Sequence, residues 1–127
     1  MTGFVCGAFD LLHAGHIHLL KQCKKQCDFL IVGLHADPSK ERVDKNKPIE
    51  TVFERQIKLK ACKFVDSVIV YQHEAEITFM LKYFNVGVRF LGWDYKKGKP
   101  ITGEDIVPIK YIDSLPIHTS TLRRRMK

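Results

Sequence analysis

The segment His13-Ala14-Gly15-His16 places two imidazoles three residues apart, directly after an uncharged apolar run over residues 3–9. A short run of this kind predicts a buried strand, and the segment after it predicts the start of a helix. Both imidazoles then lie on the first helical turn, beside its backbone N–H groups. A helix N-terminus favours negative charge, and glycine lets a ligand approach the backbone closely. The segment therefore predicts a site for a polyphosphate.

Length and composition indicate one ordinary globular domain. At 127 residues, the chain is long enough for one core and too short for two, so we expect a single domain over residues 1–127. Its 45% apolar and 28% charged content is typical of globular proteins. Because no apolar run approaches the ~20 residues that cross a bilayer, we expect a soluble, cytoplasmic protein without membrane contact.

Charge and cysteine content narrow the possible partners. The formal net charge of +7 fits an anionic ligand, and it also fits nucleic acid or a solvated basic surface. The four cysteines lack the paired spacing of a zinc site, so we expect reduced thiols that pack in the interior. Composition alone does not choose among the anionic partners.

Strand-like and helix-like patterns alternate along the chain, which predicts an α/β fold with a parallel sheet. The predicted strands cover residues 4–9, 29–34, 67–71, 88–91 and a fifth segment that begins near Ile109. The predicted helices cover residues 15–26, 51–63, 74–84 and a short segment from about Thr121. Thr51 and Glu54 have the spacing of a capping box. Right-handed crossovers bring the loops after the strands to one edge of the sheet.

His13 and His16 fit the chemistry of nucleotidyl transfer. Attack on a nucleotide α-phosphate requires alignment of the attacking phosphate and stabilisation of charge on the departing pyrophosphate. Imidazole N–H groups can donate to those phosphoryl oxygens, and a cationic ring would add charge stabilisation. Two alternatives are structural histidines beside a turn and a metal site that also uses His18. The metal site is disfavoured because no carboxylate lies at a matching spacing, so no metal ligand is predicted.

The decapeptide from Gly7 to His16 resembles the G-x-F-D-x-x-H-x-G-H signature of the cytidylyltransferase-like superfamily. It is most similar to the small glycerol-3-phosphate cytidylyltransferases. The likeness continues in order through residues 28–32, 54–55, 64–69 and 91–94. The resemblance implies a Rossmann-like three-layer sandwich with a five-stranded parallel sheet. It also implies a homodimer and Mg²⁺-assisted use of CTP or ATP, with release of pyrophosphate.

The resemblance also implies which residues contact the nucleotide. His13, His16 and Lys47 are the implied catalytic residues, with Lys47 on a basic segment that resembles the family's mobile, phosphate-gripping loop. The other implied nucleotide-binding residues are Gly7, Ala8, Phe9, Gly15, Lys45, Arg55, Lys63, Gly92, Asp94, His118, Thr119 and Ser120. Without the resemblance, the basic residues fit a solvated surface, Asp94 fits a turn, and the Ser/Thr segment fits a helix cap.

Three positions depart from the family's pattern. Ala8 stands where the most similar relatives carry threonine, and His118 stands where the carboxy-terminal motif begins with serine. Asp113 stands where an arginine precedes that motif, and the basic run at residues 123–125 is a candidate replacement. These departures affect the assignment of the substrate more than the type of reaction.

Three functions are compatible with these observations. The first is transfer of CMP from CTP to a small phosphorylated alcohol such as glycerol 3-phosphate. The second is adenylyl transfer, by the same kind of site, to a sugar phosphate or a flavin-type acceptor. The third is a non-catalytic nucleotide- or nucleic-acid-binding module, whose affinity for nucleic acid would fall steeply with salt. Because the aromatic residues do not interleave with basic ones as a base-stacking surface requires, we do not expect a nucleic-acid partner.

Overall fold

Five parallel strands form the centre of the protein, in the order β3-β2-β1-β4-β5. The computed structural model describes residues 1–92, 100–113 and 124–125. The strands are β1 (Thr2–Gly7), β2 (Phe29–His35), β3 (Ser67–Tyr71), β4 (Val88–Gly92) and β5 (Ile109–Ile112). The predicted α/β fold with a five-stranded parallel sheet is confirmed.

Helices cover both faces of the sheet. The helices are α1 (Ala14–Lys24), α2 (Val52–Ala61) and α3 (Glu76–Tyr83), with a 3₁₀ turn at Pro38–Lys40. Leu20 of α1 and Leu59 of α2 are buried in one cluster, on one face of the sheet. Ile77 of α3 is buried with Phe4 in a second cluster, on the opposite face. None of the described helices is long and apolar enough to cross a membrane.

The central strand β1 defines the place where the strand order reverses. It pairs with β2 so that Gly7 lies beside Leu34, and with β4 so that Phe4 lies beside Arg89. The chain moves outward from β1 through β2 to β3, and α3 then returns it to the other side of β1. In open parallel sheets, ligands bind at the carboxyl ends of the strands where such a reversal occurs.

Most predicted elements are confirmed, some with altered ends. The bounds of β3 agree with the prediction, and β5 begins at Ile109 as expected. The capping box at α2 is also confirmed, because Thr51 Oγ1 accepts from the Glu54 N–H at 3.1 Å. Glu54 Oε1 accepts in return from the Thr51 N–H at 2.9 Å. The short helix predicted from Thr121 falls outside the described residues except for 124–125.

The first strand ends at Gly7, two residues earlier than predicted. Phe9 and Leu11 have φ values of 48° and 50°, so the chain leaves the sheet through left-handed backbone. The Phe9 ring is buried at 6% exposure, but from a loop rather than from a strand. The predicted strand was therefore too long, because an apolar residue that packs from the following loop was counted as part of it.

The cysteines are free thiols, as predicted. Cys23 is buried, and this burial raises the pKa of its thiol to about 12. Cys6, Cys27 and Cys62 are half-buried. Cys27 and Cys62 pack against the same buried cluster as Cys23, and Cys6 packs against the cluster on the opposite face of the sheet.

Candidate functional site

A buried carboxylate fixes the loop between β1 and α1. Phe9 and Leu11 adopt left-handed backbone, which costs residues with a side chain about 1 kcal/mol each. Between them, Asp10 is 6% exposed and accepts hydrogen bonds from the N–H groups of Ile49, at 2.8 Å, and Glu50, at 3.0 Å. The Leu11 N–H donates to Glu50 Oε1 at 2.8 Å. These bonds fasten the loop to the segment that precedes α2.

Arg55 of α2 connects the same segments from the interior. Its side chain is 2% exposed, and its Nη1 donates to the carbonyl oxygens of Ala8, at 3.0 Å, and His35, at 2.8 Å. Nη2 donates to the Ala36 carbonyl at 2.5 Å, and Nε donates to the Glu50 carbonyl at 3.1 Å. Burial lowers the pKa of Arg55, and three nearby carboxylates oppose this shift. The resemblance implied a nucleotide contact, but backbone carbonyls occupy most of this guanidinium.

His13 and His16 together cap the N-terminus of α1. His13 Nδ1 accepts from the Gly15 N–H at 3.0 Å, and the same side chain caps the His16 N–H. In return, His16 Nδ1 accepts from the His13 N–H at 3.2 Å. The two rings stack with their centroids 3.9 Å apart and an interplanar angle of 26°. This is a capping box in which imidazoles take the places usually held by Ser or Thr and Glu.

The cap defines the protonation state of both rings. A ring nitrogen that accepts a hydrogen bond carries no proton, so with the cap intact both imidazoles are neutral and carry their proton on Nε2. A cationic ring is incompatible with this arrangement. The sequence also predicts free first-turn amides, but the N–H groups of Gly15 and His16 bind the His13 side chain. The Nε2–H groups are the donors that remain on these rings, and Nε2 of His13 is buried.

The Phe9 ring is a neighbour of the histidine pair. The Phe9 ring lies 5.5 Å from the His16 ring, centroid to centroid. A Cβ placed on Gly7 would make an ordinary 3.5 Å contact with Phe9, so packing within the chain does not require glycine there. Gly92 ends β4 at the same edge of the sheet, and Ala8 offers its carbonyl to Arg55. Gly7 and Gly92 thus end two neighbouring strands at the edge of the sheet from which the histidine loop departs.

A cavity of about 400 Å³ lies beside the loop, at the carboxyl ends of β2 and β3. Its charged lining residues are Lys40, Lys47, Arg55, Asp37 and Glu50. The hydrogen bond from Ser39 lowers the pKa of Asp37, with smaller contributions from Lys40 and Lys47. Arg55 and Glu50 thus line the cavity and also hold the β1–α1 loop, whereas neither His13 nor His16 is among its lining residues.

Not all predicted residues are brought together at this edge. Lys45 lies near Lys47 in sequence, but it is not among the described residues that line the cavity. Lys63 lies between the end of α2 and the start of β3, at the amino edge of the sheet, with its Nζ 5.3 Å from the Phe64 ring centroid. The structure therefore places Lys63 away from the site. The predicted residues outside the described part of the chain are Asp94, His118, Thr119 and Ser120.

Asp10 and Glu50, which hold the β1–α1 loop, were not among the residues predicted for the site. Asp10 lies between large apolar residues in the decapeptide, and a carboxylate in that setting is a recognisable sign of a buried polar contact. Glu50 gives no comparable sign. Its contact with Leu11 joins residues 39 positions apart, so only the folded chain reveals it.

A sequence profile of the family described as "Cytidylyltransferase-like" matches residues 4–125. The chain belongs to this family. The match spans the histidine pair, most of β1 and the whole of the other four strands. As a cytidylyltransferase-like protein, it is a member of the nucleotidyltransferase superfamily, which confirms the resemblance.

The similar curated proteins include bifunctional proteins. The bifunctional protein HldE of Campylobacter fetus subsp. fetus is 35% identical over 111 residues, which is 87% of this chain and 24% of that protein. The bifunctional protein HldE of Acidiphilium cryptum is 32% identical over 124 residues, which is 94% of this chain and 25% of that protein. The chain thus spans about a quarter of the length of the curated relatives that it matches.

Solved structures share the fold over most of the chain. The crystal structure of a lipopolysaccharide core biosynthesis protein from Thermoplasma volcanium GSS1 has a TM-score of 0.73 and 27% identity. That similarity covers 93% of this chain and 98% of the other. Pantoate-beta-alanine ligase from Francisella tularensis has a TM-score of 0.57 at 18% identity, covering 91% of this chain and 60% of the ligase. The ligase similarity shows the fold alone.

Proposed function

We propose that this protein transfers an adenylyl group from ATP to a sugar phosphate and releases pyrophosphate. The observation that carries the proposal is the stacked histidine pair after the carboxyl end of β1, on a loop held by Glu50 and Arg55, which also line a cavity with two lysines. The HldE relatives favour ATP over CTP as the donor. A lipopolysaccharide core is built from sugars, so similarity to a protein of its biosynthesis favours a sugar phosphate over glycerol phosphate as the acceptor.

The proposed reaction exchanges one phosphorus–oxygen bond for another. An oxygen of the sugar phosphate attacks the α-phosphorus of ATP, and the bond from that phosphorus to the bridging oxygen of the β-phosphate breaks. The attacking phosphate is already an anion, so we assign no general base. His13 and His16 donate their Nε2–H groups to phosphoryl oxygens and stabilise the charge that develops there.

Lys47 supplies the cationic part of the proposed site. An ammonium group on an exposed segment can close over the triphosphate after it binds. Lys45 is the second candidate for this role. The proposed nucleotide contacts at the edge of the sheet are Gly7, Ala8, Phe9, Gly15 and Gly92, and those beyond the described residues are Asp94, His118, Thr119 and Ser120.

Mg²⁺ fits this site as a partner of the nucleotide. Among residues 1–92, 100–113 and 124–125, no group of three or more His, Cys, Asp or Glu is placed to hold a metal ion. Asp37 and Glu50 nevertheless line the cavity, where a bound phosphate would face their negative charge. Mg²⁺ is commonly held by one or two carboxylates and by substrate phosphates, and it would offset that repulsion. The homodimer implied by the resemblance is also part of the proposal, and sedimentation tests it.

Pyrophosphate release tests the reaction. Purified protein with Mg²⁺ is given ATP or CTP, each with hexose phosphates, heptose phosphates or glycerol 3-phosphate. We expect release with ATP and a sugar phosphate. Release only with CTP and glycerol 3-phosphate would restore CMP transfer as the function, and no release with any pair would contradict catalysis.

A further inference from the structure

A buried arginine lies on the side of the sheet that α3 covers. Arg89 is the second residue of β4, and its side chain is 4% exposed. Its Nη1 donates to the Thr102 carbonyl, and its Nη2 lies 3.2 Å from the sulfur of Cys6, near the carboxyl end of β1. Its Nε is buried and has no hydrogen-bond partner among the described residues. One carbonyl and one sulfur therefore hold this guanidinium.

No acid balances the charge of Arg89 within the described residues. The ion pairs of residues 1–92, 100–113 and 124–125 include no carboxylate partner for it. An arginine keeps its charge inside proteins, and a buried charge without a counter-ion is costly. A neutral thiol does not offset that cost, whereas negative charge on the sulfur does. The sulfur anion is also the nucleophilic form of cysteine, and a neighbouring arginine favours it.

A second donor reaches the same sulfur from β3. Tyr71 is 4% exposed, and its hydroxyl is hydrogen-bonded to Cys6. Burial raises the pKa of Tyr71, and Cys6 raises it further, so the hydroxyl keeps its proton and donates. Gly33 of β2 lies opposite Cys6, where a Cβ would come within 3.1 Å of the Cys6 Cβ. The sulfur thus lies between a cation and a hydroxyl donor.

The other three cysteines have different surroundings. Burial raises the pKa of Cys23 to about 12, and it also raises the pKa of Cys27. Cys62 is half-buried like Cys6, but it packs on the opposite face of the sheet and contacts no arginine among the described residues. Cys62 is therefore the matched control for exposure without a neighbouring guanidinium.

We infer that Cys6 is a peroxide-reactive thiol whose reactivity depends on Arg89 and Tyr71. The Cys6 sulfur attacks one oxygen of hydrogen peroxide, so that an S–O bond forms and the O–O bond breaks. The sulfur loses two electrons and becomes a sulfenic acid, while the thiol proton and the departing hydroxide leave as water. Because no nucleotide takes part, this inference is independent of the proposed function.

Trapping with dimedone, which reacts with sulfenic acids, tests the inference. The reduced protein is treated with hydrogen peroxide and dimedone, and the adduct is measured by intact mass. We expect a single adduct in the wild type, the same adduct in Cys62→Ser, and no adduct in Cys6→Ser. An adduct that persists in Cys6→Ser, or the absence of any adduct in the wild type, would overturn the inference.

The rate of adduct formation tests the two donors. Arg89→Met keeps the length of the side chain and removes its charge, so we expect the rate at Cys6 to fall by about 10-fold or more. Tyr71→Phe keeps the ring and removes one hydrogen bond, so we expect a smaller fall of roughly 5-fold. A wild-type rate in either folded variant would overturn the role of the residue that the variant lacks.

Cys23 reports whether each variant is folded. This thiol is fully buried in the native protein, so iodoacetamide modifies it only after unfolding. Protection of Cys23 in Arg89→Met and Tyr71→Phe therefore assigns a slower reaction at Cys6 to the lost donor. If Arg89→Met does not fold, Tyr71→Phe still tests whether the donors that surround the sulfur control its reactivity.

Discussion

The β1–α1 loop and residues 42–48, which carry Lys47, are built in opposite ways. The β1–α1 loop holds left-handed backbone around a buried carboxylate, and two side chains cap the helix that follows it. Residues 42–48 are exposed along most of their length, and Asp10 binds the N–H groups of the two residues that follow them. Donors aimed at a reacting phosphate are most effective when fixed beforehand. Lysines that gather the rest of a triphosphate instead benefit from freedom to adjust.

The largest expected effect tests the rigid segment through Arg55→Ala. Truncation leaves four backbone carbonyls without their donor and leaves the buried Asp10 without a nearby cation. We expect the free energy of unfolding in urea to fall by roughly 3 kcal/mol or more. Lys60→Ala, an exposed change on the same helix, should alter it by less than about 0.5 kcal/mol. A fall below about 1 kcal/mol for Arg55→Ala would show that the loop is held in another way.

His13→Asn separates the cap from the proposed chemistry. Asparagine is among the best helix caps, so we expect the free energy of unfolding to stay within about 0.5 kcal/mol of the wild type. The rate of pyrophosphate release should fall by roughly 100-fold, because a phosphoryl donor is lost. His18→Ala, on the same helix, should retain the rate. A variant that keeps both stability and rate would reduce His13 to a structural cap.

Glu76→Gln extends the comparison to the loop after β3. Glu76 Oε2 accepts from the N–H groups of His73, at 2.6 Å, and Gln72, at 2.7 Å, and these bonds lower its pKa against the opposing effect of burial. The unfolded chain therefore binds this proton more readily, so the stabilisation is present at neutral pH and is lost below about pH 4.5.

We expect Glu76→Gln to lose less stability than the wild type when urea unfolding is repeated at about pH 3. Because the carboxylate is exposed, solvent screening limits the difference to roughly 0.5 kcal/mol. An identical pH dependence in both proteins would mean that the loop after β3 does not depend on this carboxylate.

The smallest expected effect lies at Val43, within residues 42–48. Val43→Ser changes a fully exposed side chain, so we expect the thermal unfolding midpoint to stay the same, with a free-energy change within about 0.5 kcal/mol. Leu59→Ser, a buried change in α2, provides the contrast and should be strongly destabilising. A clear loss in Val43→Ser would show that this side chain packs against the protein.

The fold was largely readable from the sequence because local signals agreed with it. The capping-box residues Thr51 and Glu54 mark the start of α2 in the sequence. The uncharged strand pattern, as in β2, is typical of a sheet covered on both sides. The end of β1 was not readable. Phe9 is apolar like a strand residue, and only the distant N–H groups that bind Asp10 reveal why the chain turns there.

The site was readable in its residue types but not in its hydrogen bonds. The sequence placed His13 and His16 at a helix start, and it had no means of showing that each ring caps the other's amide. The sequence showed Arg55 only as a cation. Its guanidinium is buried among backbone carbonyls because β1, β2 and α2 come together in the folded chain. Sequence pattern and helix or strand propensity do not reveal hydrogen bonds between polar groups that are distant in the chain.

The imidazole cap makes the start of α1 acid-labile. A proton taken up at either Nδ1 turns an acceptor into a donor that faces an amide hydrogen, so that cap hydrogen bond would be lost. Serine, threonine and asparagine caps have no such weakness. Any positive charge on these rings would therefore come at the expense of the bonds that orient them.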